Sequence, residues 1–72
     1  MIKISYKAYI QTSKDILGGE PVFRGTRVAV KTLIDYLEAG DRLNDFLKDY
    51  PTVTKKQAIA VLELAKQGIT RG

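Results

Sequence analysis

Two amphipathic segments separated by a short turn constrain the fold of this 72-residue chain more than any other feature. Each segment repeats its apolar residues at the i, i+3, i+4, i+7 spacing of a helix that buries one face. A turn at residues 50–53 separates them, which is typical of a helix-turn-helix, whose second helix enters the DNA major groove. The apolar residues are Leu43, Phe46, Leu47 and Tyr50 in the first segment and Ala58, Val61, Leu62 and Ala65 in the second.

The second helix begins with a capping box and two lysines. Thr54 and Gln57 have the spacing of a capping box. In it, the Thr54 hydroxyl accepts from the Gln57 backbone N–H, and the Gln57 side-chain amide accepts from the Thr54 backbone N–H. Lys55 and Lys56 follow, although the positive end of the helix dipole disfavours cations unless an anion such as phosphate compensates. Alternatively, both lysines extend into water, where screening makes this penalty small. The candidate DNA contacts on this start and on the polar face are Thr54, Lys55, Lys56, Gln57, Ala60 and Lys66.

The charge distribution permits binding to a nucleic acid. The net charge is +4, divided as +4 over residues 1–31, −3 over residues 32–50 and +3 over residues 51–72. We expect this alternation if the acidic middle faces away from a polyanion that the basic parts approach. An acidic patch for a basic partner would give the same pattern.

Composition argues against catalysis and metal binding. The chain has no cysteine and no histidine, so we expect neither a disulfide framework nor a zinc site. Without histidine, acid–base catalysis would need paired carboxylates, and Asp45 and Asp49, one helical turn apart, are typical of a solvated surface. Gly18 and Gly19 precede Glu20 and Pro21 instead of a phosphate-binding lysine and helix. We therefore expect no enzyme, no cofactor and no small-molecule substrate.

The chain shows no signal for secretion or membrane insertion. The N-terminal residues lack the charged start and long apolar stretch of a signal peptide. No apolar run approaches the roughly 20 residues needed to cross a bilayer. We expect a cytoplasmic protein without a membrane partner.

The first segment alternates apolar and polar residues over residues 2–11, which predicts a half-buried strand. Residues 12–15 form a polar turn, and residues 16–27 contain glycines and a proline that favour a tight, defined path. An unpaired strand of this length needs a partner. The partner is either the same strand of a second copy, which gives a homodimer, or residues 28–30 of the same chain.

Three helices are predicted after this region, over residues 30–39, 42–50 and 54–67. Gly40 ends the first, and Asp41 caps the second. The chain is therefore predicted to be mainly α with short β, as a single domain over residues 1–72. Residues 1–29 form its strand and turn region, and residues 30–67 form its three-helix helix-turn-helix region.

Residues 19–30 read GEPVFRGTRVAV and resemble the signature G-x-P-x-x-x-G-T-R-[IV]-x-V of the domain-of-unknown-function family 433 (DUF433). The likeness continues through LIDYLEAGD, FLKDYP and QAI. The resemblance implies a homeodomain-like helix-turn-helix and a VapB-like antitoxin of a type II toxin–antitoxin system. Such a protein dimerises, binds DNA at its own promoter, represses its operon and neutralises a PIN-like ribonuclease toxin. Only residues 67–72 follow the predicted last helix, so neutralisation would use a folded surface or the N-terminal segment instead of a long tail.

The Gly-Thr-Arg element of this signature has two interpretations. In the structural one, Gly25 permits positive φ, Thr26 bonds the local backbone and Arg27 ties the strand region to a carboxylate or carbonyl. In the functional one, Arg24 and Arg27 contact phosphate or the acidic groups of a partner, with Arg24 the better candidate for exposure. The alternative to the DNA-binding antitoxin is accordingly a protein-interaction module that silences or scaffolds a partner through this region.

Overall fold

The structure of the protein, a computed structural model, describes residues 6–70. Those residues form four α-helices, a two-stranded antiparallel sheet and one turn of 3-10 helix at Leu17–Gly19. None of the helices within the described part of the chain has the length and apolar character needed to cross a bilayer. The elements are α1 (Tyr6–Tyr9), β1 (Ile10–Gln11), β2 (Val22–Phe23), α2 (Val30–Glu38), α3 (Leu43–Asp49) and α4 (Lys55–Thr70).

Helices α2, α3 and α4 confirm the three-helix region predicted from the apolar spacing. α2 ends as expected at Gly40, which has a φ of 89°. The Gly40 N–H donates to the Leu37 carbonyl at 3.1 Å, and the Asp41 N–H donates to the Tyr36 carbonyl at 2.9 Å. This pair of bonds is a Schellman motif, which satisfies the last carbonyls of the helix.

The predicted cap of α3 is wrong by one residue. Arg42, not Asp41, is the residue that precedes the first turn. Its backbone N–H donates to the Asp45 carboxylate at 2.9 Å, so an acidic side chain from inside the helix closes the turn. Asp41 is instead used by the end of α2, because its N–H completes the Schellman motif.

The predicted N-terminal strand is wrong over residues 6–9, which form α1, and residues 2–5 of that strand lie outside the described residues. β1 keeps only Ile10 and Gln11, paired with Phe23 and Val22. The partner strand ends there because the chain reverses at Gly25, which has a φ of 79°. Without a partner strand, the backbone before Ile10 finds its hydrogen bonds in a helical turn.

The sheet uses both edges of β2. Val22 pairs with Gln11 on one side and forms a bridge to Ala29 on the other, where the Phe23 N–H also donates to the Val28 carbonyl at 3.0 Å. Residues 28–30, the predicted intramolecular partner of the first strand, therefore lie across β2 from β1. The long unpaired strand that favoured a homodimer does not form over residues 6–11, so the sheet edge gives that homodimer no support.

The core is built around the Phe46 ring of α3. Its centroid lies 5.8 Å from that of Phe23, 5.5 Å from that of Tyr36 and 5.2 Å from that of Tyr50, in tilted and edge-on contacts that favour aromatic packing. Phe23 and Phe46 have no exposed surface. One cluster thus joins β2 to all three long helices, and its buried members are Ile10, Phe23, Leu33, Phe46, Val53, Ala58 and Val61.

A side-chain hydrogen bond joins α2 to the end of α3. The Tyr36 hydroxyl donates to the Asp49 carboxylate at 2.6 Å. This hydrogen bond, with smaller contributions from desolvation and the negative charge of Asp49, raises the pKa of Tyr36 well above its ordinary value. The bond holds the last turn of α3, from which the chain turns into α4.

We predict that Phe46→Ala destabilises the protein by about 3–5 kcal/mol, because the truncation leaves a cavity among three aromatic rings. Urea denaturation followed by circular dichroism measures the loss. Ile69→Ala is the control, since that side chain is 79% exposed and its truncation should change stability by less than about 0.5 kcal/mol. Equal losses in the two variants would contradict the central place of Phe46.

We also predict that alkaline pH weakens the fold through Tyr36. Because its pKa is higher in the folded than in the unfolded state, its contribution is complete below about pH 10 and is lost as the pH rises above it. Denaturation at increasing pH should show this loss in the native chain and not in Tyr36→Phe. In an ultraviolet titration of the tyrosines, the component that ionises at the highest pH should be missing in the variant. A similar alkaline dependence in both proteins would refute the assignment.

Candidate functional site

The start of α4 is held by the predicted capping box, which the structure confirms. The Gln57 N–H donates to the Thr54 hydroxyl at 3.0 Å, and the Thr54 N–H donates to the Gln57 side-chain carbonyl at 2.9 Å. The two reciprocal bonds fix the first turn of the helix. Lys55 and Lys56, both exposed, lie within that turn.

The exposed side of α4 forms what we call the lysine face, which consists of Lys55, Lys56, Ile59, Glu63 and Lys66. Four of these side chains are exposed, and Glu63 is half-buried. The Lys66 ammonium lies 3.9 Å from the Glu63 carboxylate, a solvent-exposed pair that holds neither side chain firmly. The face therefore presents two cations at its start, an apolar residue in its middle and a mixed pair at its end.

Ala60 is the predicted DNA contact whose placement the structure contradicts. It is only 6% exposed and does not belong to the lysine face. The sequence pattern assigned one apolar stripe to this helix, whereas α4 is covered both by the core and by α1, so its buried arc is wider. Ala65, assigned to the buried stripe, is exposed.

Gln57 has a second role that the capping pattern does not reveal. Its side-chain N–H donates to the Arg24 carbonyl at 2.9 Å, across 33 positions of sequence. Both ends of the amide are thus occupied, one by the cap and one by the turn after β2. Gln57 therefore acts as a positioning residue that ties the start of α4 to the sheet.

Arg24 is exposed, as predicted, yet its side chain is hydrogen-bonded within the chain, whereas the tie to a carbonyl or carboxylate predicted for Arg27 is not seen among the described residues. The Arg24 N–H donates to the Tyr9 carbonyl at 2.9 Å, and its guanidinium donates to the Lys7 carbonyl at 2.7 Å. Arg24 therefore ties α1 to the turn. Arg27 is exposed and makes no hydrogen bond or ion pair to any side chain or backbone group of residues 7–70. The whole Arg27 guanidinium is therefore available to a partner, whereas that of Arg24 is bonded through Nε.

Gly25 and Thr26 have the structural roles that the motif predicts. Gly25 adopts positive φ, and its N–H donates to the side-chain carbonyl of Gln11 at 3.2 Å. The Thr26 hydroxyl donates to the Phe23 carbonyl at 2.8 Å and accepts from the Val28 N–H at 3.0 Å. These bonds hold the reversal that carries the chain from β2 to Arg27.

An open groove of about 790 Å³ lies beside this reversal. Arg27 is the only charged residue among the described residues that line it, and the remaining walls are apolar or carry neutral polar groups. We call it the Arg27 groove. Its lining includes Gln11, Leu17, Thr26, Arg27, Tyr50 and Thr52.

Leu17 lines the same groove in an unusual conformation. It is the only non-glycine residue within the described residues that has positive φ, at 50°, and its side chain is 55% exposed. This conformation costs roughly 1–2 kcal/mol for a residue with a Cβ atom. The conformation belongs to a tight turn in which the Gly19 N–H donates to the Ile16 carbonyl at 3.0 Å, and this turn holds the Leu17 side chain exposed at the groove.

The comparisons with known proteins agree on one family. Residues 10–65 match the family model described as "Protein of unknown function (DUF433)". The chain is also similar to the crystal structure of a DUF433 member protein from Anabaena variabilis ATCC 29413, determined at 2.00 Å resolution, with 29% identity and a TM-score of 0.71. That similarity covers 86% of this chain and 61% of the other, so this chain spans about three-fifths of its relative. No curated protein matches the chain.

Proposed function

Because the chain belongs to the DUF433 family, which is described only as of unknown function, we propose its function from its own surfaces: it binds double-stranded DNA through the lysine face of α4. The observation that carries this proposal is the start of α4, where two exposed lysines lie within a capping box whose Gln57 is bonded to the turn after β2. A fixed, positively charged helix start is what the second helix of a helix-turn-helix presents to DNA.

The geometry of α3, the turn and α4 supports this mode of binding. α3 ends at Asp49, the turn follows, and α4 begins at Lys55. The DNA major groove is about 12 Å wide and admits a single α-helix. Lys55 and Lys56 neutralise phosphates at its edge, and the Thr54 hydroxyl and the free N–H groups of the first turn add contacts to phosphate oxygens.

Two of the predicted contacts have other tasks in this proposal. Gln57 holds the helix in place through the Arg24 carbonyl, and Ala60 packs inside the protein. Lys66 lies about 16 Å along the helix from Lys55 and contacts the backbone only where the duplex follows α4 that far. The affinity therefore rests mainly on the first turn.

We further propose that the protein is a homodimeric autorepressor that binds its own promoter. Helix-turn-helix proteins read paired half-sites one DNA turn apart, which requires two copies related by symmetry. A chain of this size also buries a modest fraction of its surface alone, so association adds stability.

We predict that Lys55→Ala/Lys56→Ala weakens binding to all duplexes and reduces the slope of log K against log salt by about two, because each neutralised phosphate releases counterions. Fluorescence anisotropy across a salt series measures both quantities, on the duplex upstream of the gene and on a scrambled duplex. Lys14→Ala/Lys31→Ala is the matched control, since it removes the same charge outside α3 and α4 and should leave the slope nearly unchanged.

Two results would contradict DNA binding at this face. One is the absence of salt-dependent binding to either duplex. The other is an equal loss of slope in the two double variants, which would make the attraction a property of net charge instead of the first turn of α4.

The Arg27 groove favours a second function, the binding of a partner protein. Arg27 is the one cation among the described residues that line it, and together with the neutral polar groups and apolar walls it fits a segment that combines a carboxylate with apolar side chains. We propose a PIN-like ribonuclease toxin as that partner, in line with the resemblance to VapB-like antitoxins. If this function stands without DNA binding, the helix-turn-helix serves only as a scaffold for an interaction module.

We predict that Arg27→Glu weakens the complex with the protein encoded by the neighbouring gene by at least about tenfold, which is about 1.4 kcal/mol. Leu17→Gly should also weaken it, although this change relieves the backbone strain and should not lower stability. Copurification followed by isothermal titration calorimetry measures the effect. Arg42→Glu, which reverses an exposed arginine outside the groove, is the control. An unchanged affinity of Arg27→Glu would exclude the groove as the contact.

A further inference from the structure

Ile59 is the apolar residue in the middle of the lysine face. Its side chain is 48% exposed, whereas its neighbours Ala58 and Ala60 are 0% and 6% exposed. A single exposed isoleucine is common on protein surfaces and by itself indicates nothing. Its position is informative, because cations lie on both sides of it along the same helix.

The spacing along α4 places Ile59 inside any contact that the lysines make. Lys55, Ile59 and Glu63 occupy successive turns at i, i+4 and i+8, so they share one row of the helix surface. Along the axis, Ile59 lies about 6 Å from Lys55 and about 10 Å from Lys66. A polyanion that reaches the cations on both sides therefore covers the isoleucine between them.

We infer that Ile59 contacts base edges and reads the C5-methyl group of thymine in the major groove. This inference rests on the DNA-binding function proposed above. Isoleucine has no donor or acceptor, so it cannot recognise the hydrogen-bonding edges of the bases, whereas the thymine methyl is the apolar group that the major groove presents. A charged phosphate against Ile59 would instead lose hydration without gaining a hydrogen bond.

Under this inference, the lysines and the isoleucine of the lysine face contact different parts of the DNA. Lys55 and Lys56 contact the backbone and carry no sequence information. Ile59, one turn further into the groove, makes binding depend on thymine at the bases that face it. Removing the lysines therefore lowers affinity for every duplex, whereas removing Ile59 lowers only the preference for thymine.

Exchange of thymine for uracil tests this assignment directly. Uracil pairs with adenine in the same way but lacks the C5-methyl group. The probe is the tightest duplex selected from a random library with the native protein, and each thymine is replaced in turn. At one or two positions, we expect the replacement to weaken binding about fourfold, the factor that corresponds to about one buried methyl-sized group.

The decisive comparison is between the native chain and Ile59→Ala. In Ile59→Ala the same replacements should have no effect, because the contact is already gone, so the two changes are not additive. Ile59→Val should show an intermediate effect. Lys55→Ala/Lys56→Ala should bind weakly but keep the full fourfold effect. Ile69→Ala, which truncates a more exposed isoleucine of the same helix outside the lysine face, should behave as the native chain.

The outcomes separate this inference from the proposed function. If the native protein binds no duplex, the DNA-binding function fails. If it binds with the expected salt dependence, but uracil weakens the native chain and Ile59→Ala equally, DNA binding stands and the thymine contact is refuted. If Ile59→Ala leaves every duplex unaffected and instead weakens the complex with the neighbouring gene's product, the lysine face is a protein interface and the inference is overturned.

Discussion

The contact between Phe23 and Phe46 is the interaction on which the rest of the structure depends. Phe23 comes from β2 and Phe46 from α3, and both rings are fully buried with centroids 5.8 Å apart. Burial of each ring contributes about 1.5–3 kcal/mol. Chains of this size have room for a single core. The short sheet and the three long helices therefore share that core, and it sets where every surface residue lies.

The turn after β2 connects this core to both candidate surfaces. The Arg24 backbone accepts from Gln57 at the start of α4 and donates to Tyr9 at the end of α1. The next residues of the same turn place Arg27 beside its groove. A displacement of this turn would move the first turn of α4 and the rim of the groove together, so the family signature supports both surfaces through one set of backbone bonds.

The helices and their ends were accessible from local sequence, because a 3.6-residue apolar period and capping patterns act between residues only three or four apart. This holds for α2, for the Schellman motif at Gly40 and for the capping box of α4. The same reasoning failed for α1, where an alternating pattern predicted a strand. A strand forms only where a partner exists, and the distant turn at Gly25 removes that partner.

By itself, the sequence determined the three-helix region, the lysines at the start of α4 and the family signature, since each depends on neighbouring residues. The tertiary structure alone decided which of these residues are buried or hydrogen-bonded. It buried Ala60, occupied the Gln57 amide with a carbonyl 33 positions away and bonded the exposed Arg24 side chain to the Lys7 carbonyl, whereas Arg27 makes no such bond within residues 7–70. The physical reason is that burial and hydrogen-bond pairing depend on groups brought together by the shared core, and spacing along the chain does not encode those distances.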